Sequence, residues 1–390
     1  MDLLIISGWP HYHSSGGIAG LDPLTREIDY LAEVFGEVRH LAPLFEGPPP
    51  AHTSHYESGR VTLVPLKPSG GRGLLGKFDV LRHSLSYVRT IRDELAAVDM
   101  VHVRCPSNVS LEALLLLRVS RRRLPCWVKY GGNWCPSSPE PLSYRLQRTC
   151  LQTGWPNCVV TVNGIWPGQP KHVHSFLNPS FTAHEARQAF SATSHKHLAL
   201  PVRLVYAGRL SPGKGAVRAL QILAQLTRSG IDARLDFAGE GPSREILERL
   251  IGDLGLESKV GLPGWLTQSQ LHSLYQQAHF VLLPSVSEGW PKVLSEAMAF
   301  GAVPMAGAVS CIPQVMAQTG AGVALPSFDT AAFADAITRF VREPAQWTAH
   351  HRNGYAAAHL FTYETHVDRV RQLLALDQTR TTLVPQQAAL

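Results

Sequence analysis

Short apolar runs, each followed by a segment of helical periodicity, recur along almost the whole chain, and this alternation constrains the fold more than any other feature. The first half carries LLIIS (3–7), VRHLA (38–42), VTLVPL (61–66), MVHVR (100–104), CWVKY (126–130) and CVVTV (158–162), with helices expected near 22–36 and 77–97. The second half carries VRLVY (202–206), ARLDFAG (233–239), HFVLLP (279–284) and AVPMA (302–306). Strands that are apolar on both faces and alternate with helices predict parallel sheets covered by helices on each side. A chain of 390 residues exceeds what one such core usually holds. Two doubly wound α/β domains follow. The alternation lapses at ARQAFSATSHKHLALP (186–201), which sets the expected division at 1–190 and 191–361. Residues 362–390 are expected to form a helix and a frayed tail, with Thr362 as N-cap, free to pack on either domain, including back on the N-terminal one.

Composition removes several function classes. No run reaches the eighteen or more apolar residues of a membrane span, and LEALLLLRV (111–119) reads as a buried helix. MDLLIISGW enters a strand pattern without a basic leader, so a cytoplasmic location is expected. The six cysteines make no C-x-x-C pair and the 18 histidines lack metal-ligand spacing; reduced, structural cysteines and no metal are expected. The net charge of +6 is concentrated between Arg60 and Arg92, where Lys67, Arg72, Lys77, Arg82 and Arg89 interleave with Leu74, Leu75, Phe78, Leu81, Leu85 and Val88. That pattern fits either a solvated face or an anionic membrane surface, the latter giving a peripheral association at the inner face of the membrane. No nucleic-acid motif accompanies the charge.

Three stretches follow expected strands, where parallel sheets bind ligands. YAGRLSPGKGA (206–216) matches a phosphate-binding P-loop through Gly208, Gly213 and Lys214 but fails at Gly215, where a magnesium-binding hydroxyl belongs. Arg209 and Lys214 are left as fixed cations for an anion. SGWPHYHSSGGIAG (7–20) offers Gly16 and Gly17 for close backbone approach. SEGWPKVLSEAMAFG (287–301) starts a helix at Pro291 whose free amides on Trp290, Lys292 and Val293 suit a phosphate. Glu288 lies beside that start, and Glu296 a turn and a half inside.

GRLSPGKG and EGWPKVLSE resemble the G-R-x-x-x-x-K-G segment and the E-x₇-E motif of glycosyltransferase family 4, closely in the C-terminal half and in outline elsewhere. The resemblance implies a GT-B architecture of two facing Rossmann-like domains, and a retaining, metal-independent transferase taking a sugar from a nucleotide-diphosphate donor to an acceptor hydroxyl. It implies catalytic roles for Glu288, Lys214 and Arg209. Donor contacts would come from Gly16, Gly17, Arg209, Lys214, Trp265, Gly289, Trp290, Lys292, Val293 and Glu296, the last on the ribose. Where many members carry a sugar-side histidine this chain reads VKYGGNW, so Lys129, Tyr130, Asn133 and Trp134 become acceptor-side candidates, with His102 either beside them or in the core. The implied setting is cell-surface polysaccharide or glycolipid assembly, with a saccharide or lipid-linked saccharide acceptor and no cofactor beyond the co-substrate. A nucleotide-sugar epimerase and a non-catalytic binding protein remain the alternatives.

Overall fold

Both expected sheets form, and each buries its strands on two faces. The computed structural model describes residues 1–50, 53–69, 73–136 and 140–376. In the N-terminal domain the strands are β1 (Leu3–Ser7), β2 (His11–Ser14), β3 (Gly17–Leu21), β4 (Val38–Phe45), β5 (Thr53–His55), β6 (Val61–Leu66), β7 (Met100–Cys105), β8 (Cys126–Tyr130), β9 (Val159–Val162) and β10 (Val173–Ser175). Its helices are α1 (Asp22–Leu31), α2 (Gly73–Ala96), α3 (Asn108–Val119) and α4 (Leu142–Gln152), and α5 (Ala183–Thr193) follows. The parallel order is β10-β9-β8-β7-β1-β4-β6, and the β2–β3 hairpin with β5 hangs from the end of β4.

The C-terminal sheet comprises β11 (Val202–Ala207), β12 (Ala233–Ala238), β13 (Val260–Gly264), β14 (Phe280–Leu283), β15 (Val303–Gly307) and β16 (Val323–Leu325). Its order, β13-β12-β11-β14-β15-β16, is that of a dinucleotide-binding Rossmann sheet. Around it lie α6 (Ala216–Arg228), α7 (Arg244–Asp253), α8 (Gln268–Gln277), α9 (Lys292–Ala299), α10 (Ile312–Thr319), α11 (Thr330–Arg342) and α12 (Pro344–Ala358), and α13 (Tyr363–Leu373) ends the described chain. Separate apolar clusters lie on the two faces of each sheet: one is built on Leu204, Leu223, Phe237 and Trp347, its opposite on Val281, Met298 and Ile312.

Sequence and structure part company in four places. The glycine-rich stretch after β1 is not one loop, because residues 11–21 pair as a hairpin. The expected break at 190 falls inside α5, whose Ala189 packs in the apolar cluster of the C-terminal sheet, as does Phe181 before it. Cys126 and Cys158, expected as thiols, form a disulfide between β8 and the start of β9, while Cys105, Cys135, Cys150 and Cys311 are free. The helix expected near 22–36 ends at Leu31. The tail beyond residue 376, and Arg72 of the basic stretch, lie outside the described residues, as do the side chains of Leu74, Leu75, Lys77, Phe78 and Leu81.

The chain crosses between domains twice, and the two crossings run side by side. Ser180 N–H donates to the Phe361 carbonyl at 2.8 Å and Tyr363 N–H to the Phe181 carbonyl at 3.0 Å, forming a parallel bridge. Thr362 caps α13 by accepting from Thr365 N–H at 3.2 Å. The helix then returns to the N-terminal domain, where Val370 joins Leu3, Ile28 and Trp127 and Tyr363 stacks on Tyr30.

Lys196 fastens the start of the C-terminal domain. Its ammonium donates to the carbonyls of Tyr275, Ala278 and Phe300 at 3.1, 2.9 and 2.7 Å, at the ends of α8 and α9. Lys196→Met keeps most of the apolar stem but removes this donor from all three carbonyls, of which that of Tyr275 keeps its bond from Ala278 N–H. Chemical denaturation should register a loss of about 2 kcal/mol, the scale of hydrogen bonds to a charged group; unchanged stability would remove this role.

Candidate active site

In open parallel sheets ligands bind where the strand order reverses, beyond the carboxyl ends of the strands. In the C-terminal sheet that point lies between β11 and β14, and the loops that follow them are the two motif stretches. They are stitched together: Val286 N–H and Ser285 Oγ both donate to the Gly213 carbonyl, at 3.0 and 3.2 Å. This seam sets Lys214 over Glu288, with Nζ donating to Oε1 at 2.7 Å and to Oε2 at 2.8 Å. Glu288 is 7% exposed, so its charge needs this partner. The seam also explains Gly215. Its φ is +81°, and a Cβ there would collide with the Pro284 carbonyl, so the position that breaks the P-loop pattern excludes any side chain.

Arg209 is exposed on the same loop, its carbonyl accepting from Tyr206 Oη at 2.8 Å. Helix α9 begins at Lys292 with Pro291 as its cap. Glu296, in its second turn, accepts from Tyr275 Oη at 3.1 Å, and loss of solvent pushes its carboxyl above the usual range. The Trp290 indole is core, stacked on Phe361 and donating to Ser295 Oγ at 2.7 Å. Val293 is partly buried against the same core.

In the N-terminal sheet the order reverses between β1 and β7. The loops after these strands, with Gly8, Trp9, Pro106 and Ser107, face Glu288, Gly289, Trp290 and Lys292 across an interdomain cavity of about 630 Å³. The domains approach so closely here that a Cβ on Gly289 would strike the Gly131 carbonyl. Lys292 Nζ spans the gap, donating to the Pro23 carbonyl of α1 at 2.9 Å.

The cavity's N-terminal wall holds a buried ion cluster. Glu27 of α1 accepts from Arg104 Nη1 at 2.8 Å and from Lys129 Nζ at 2.6 Å, and His366 Nε2 of α13 lies 3.7 Å away. Burial opposes the charge on Glu27, yet Arg104 and Lys129 hold its carboxyl well below the usual range. Burial lowers the Lys129 amine to about 7 and that of Lys292 to about 8. A second buried chain, Ser7 Oγ to His40 Nε2 (2.8 Å), His40 Nδ1 to Tyr56 Oη (2.6 Å) and Tyr56 Oη to His11 Nε2 (2.7 Å), lies under the loop that presents Trp9.

The expected site residues divide accordingly. Lys214, Glu288, Gly289, Trp290, Lys292 and Lys129 come together at or beside the cavity. Gly16 and Gly17 do not line it: they sit exposed at the tip of the β2–β3 hairpin. Three of the five acceptor-side candidates are core. His102 is fully buried and stacked on Trp127, Tyr130 packs against Trp134, and both of the latter are buried. Asn133 turns to its own loop, its Oδ1 accepting from Cys135 N–H at 3.1 Å. Trp265 is 40% exposed after β13, outside the cavity lining. Sequence reasoning missed Trp9, Glu27 and Arg104. Arg104 was legible: it shares a strand face with His102 but lies two residues nearer the carboxyl end, where ligands bind.

Residues 194–359 match the family model described as "Glycosyl transferases group 1". Over 141 residues the chain is 32% identical to the alpha-D-kanosaminyltransferase of Streptomyces kanamyceticus, covering 36% of each protein. Over 190 residues it is 30% identical to the GDP-mannose-dependent alpha-(1-6)-phosphatidylinositol dimannoside mannosyltransferase of Mycobacterium tuberculosis, covering 47% of this chain and 46% of that one. These matches span between a third and a half of the relatives' lengths. The sucrose-phosphate synthase structure from Thermosynechococcus elongatus superposes with a TM-score of 0.73 at 19% identity, over 97% of this chain and all of that one. HepE of Anabaena, solved with UDP, gives 0.66 at 17% identity over 96% of this chain. Residues 194–359 are thus similar to the glycosyl transferases group 1 family, within a chain that has the two-domain GT-B fold of these solved structures.

Proposed function

We propose that the chain is a retaining glycosyltransferase that moves a sugar from a nucleotide-diphosphate donor to a saccharide or lipid-linked acceptor in cell-surface polysaccharide or glycolipid assembly. The observation that carries this reading is the Lys214–Glu288 pair, held by the stitched loops at the reversal point of the Rossmann sheet and facing a second domain across a cavity. An epimerase of the same architecture would share the cleft but needs no acceptor. The mannosyltransferase relative, named for phosphatidylinositol dimannoside, points the same way.

In this reading the donor diphosphate lies against Arg209, Lys214 and the amides that open α9, which stabilise the leaving charge as the glycosidic bond breaks. Lys214 is then shared between phosphate and Glu288, leaving the carboxylate to orient the sugar and to face the positive charge at the anomeric carbon. The acceptor oxygen bonds on the face the diphosphate leaves, and its proton passes to the departing phosphate oxygen. Glu296 accepts from the ribose with the oxygen that Tyr275 does not occupy. We assign family 4 on the same two motifs, and a metal-independent reaction because two protein cations and a helix start supply the countercharge.

Membrane association at the inner face belongs to the same proposal. Arg82, Leu85, Arg89 and Arg92 are exposed along one face of α2, and no helix among the described residues is long and apolar enough to cross a membrane. The chain should sediment with anionic vesicles and less so as salt rises, since the attraction acts over a Debye length of about 8 Å. Equal binding to neutral vesicles would remove the electrostatic argument.

Glu288→Gln should depress kcat with little change in donor KM, whereas Glu296→Ala should raise donor KM more than it lowers kcat. Steady-state transfer assays separate the two; full turnover by Glu288→Gln would withdraw its catalytic role. Transfer should also persist in excess chelator, while Lys214→Ala costs about 3 kcal/mol of transition-state stabilisation. Complete loss with chelator, restored by Mg²⁺, would overturn the metal-independent route.

A further inference from the structure

Three cations from three elements converge on the cavity wall opposite the donor motifs. Arg104 ends β7, and Lys129 is its register partner on β8. Lys292 reaches over from α9, and all three line the cavity. Two carboxylates share that lining. Glu288 is taken up by Lys214, through both oxygens. Glu27 is occupied by Arg104 and Lys129, and Lys292 is attracted both by Glu27 and by Glu296 of its own helix. His366 adds no charge, because burial holds its imidazole down at about 3. Burial depresses Lys129 and Lys292; Glu27, and for Lys292 also Glu296, offsets part of that, and Arg104 adds repulsion to each.

Two further features of the same cavity fit a sugar. Trp9 is 47% exposed at its edge, an aromatic face of the kind on which a pyranose ring packs. Asn178 also lines it, and its buried Oδ1 has no hydrogen-bond partner among the described residues. A hydroxyl brought by a ligand would satisfy that atom.

We propose that this wall is an anion subsite for the acceptor: an acidic saccharide whose carboxylate or phosphate seats on Lys292, Arg104 and Lys129, with a sugar ring against Trp9. The inference names the acceptor class for the glycosyltransferase reading and rests on it. A neutral sugar brings no charge to this cluster, whereas one oxyanion accepts charge-assisted hydrogen bonds from it.

Calorimetry on the full chain with glucose, glucuronate and glucose 6-phosphate as probes tests it. At least one acidic probe should bind about tenfold or more tightly than glucose, a difference of about 1.4 kcal/mol. Glucuronate alone would assign a carboxylate and glucose 6-phosphate alone a phosphate. Lys292→Met should erase most of the preference and Lys292→Arg should keep it, since the Lys292 ammonium donates one hydrogen bond, to the Pro23 carbonyl, and its removal leaves Arg104 and Lys129 on Glu27. Equal affinity for all three probes overturns the inference, as does a preference that survives Lys292→Met. A preference lost in Lys214→Met but kept in Lys292→Met places the anion on the donor side and overturns it too. The readout needs no transfer: acidic preference without sugar transfer would sink the functional reading alone, and transfer without the preference would sink the subsite alone.

Discussion

A carboxylate almost without solvent, Glu27, sits where α1, β7, β8 and α13 meet, and each of those elements is positioned in part by the need to compensate it. Taking such a charge out of water costs several kcal/mol, and losing one partner of a buried pair typically costs about 3–5 kcal/mol. The pairing therefore specifies geometry more than it adds stability. It holds Arg104 and Lys129 side by side at the carboxyl ends of adjacent strands, which is where the cavity opens. Had Glu27 been apolar, those cations would turn toward solvent, and the wall opposite the donor motifs would lose its charge.

The two walls follow one logic with different parts. On the C-terminal side a lysine from one loop neutralises a glutamate from the next, and the backbone seam through Gly213 fixes the pair. On the N-terminal side the charges come from strand ends and helix faces, so they are held by packing. Between them Lys292 belongs to both: its backbone begins α9, and its side chain crosses to the Pro23 carbonyl. The domains approach closely at Gly289, where a Cβ would strike the Gly131 carbonyl.

Much of this was legible in the sequence. Continuous apolar runs such as LLIIS and CWVKY announce parallel strands because both faces are buried, and the Glu288-to-Glu296 spacing is local enough to survive translation into structure, whereas the contact of Lys214 with Glu288, 74 residues on, was not stated by either motif. What was hidden depends on contacts distant in sequence. Glu27 stands on a helix that reads as ordinary, and its partners lie 77 and 102 residues away. His102 and Tyr130 look polar and accessible in a motif, yet strand alternation and the stacked Trp127 and Trp134 carry them into the core. The hairpin at 11–21 was obscured by its own glycines, which signal loop and turn alike. The Cys126–Cys158 bond could not be read from spacing, since it joins neighbouring strands whose order the sequence does not state.

The return of α13 carries a consequence for how the molecule is made. Domains usually fold as they emerge from the ribosome, the N-terminal one first. Here the N-terminal core takes Val370 from α13, and Glu27 keeps His366 at its back. At synthesis rates of about 5–20 residues per second, the first domain waits roughly ten to forty seconds with that surface uncovered while the second is translated. Its final closure and the joining of the two halves are therefore one event, so the cleft exists only in a chain whose last described helix has already come home.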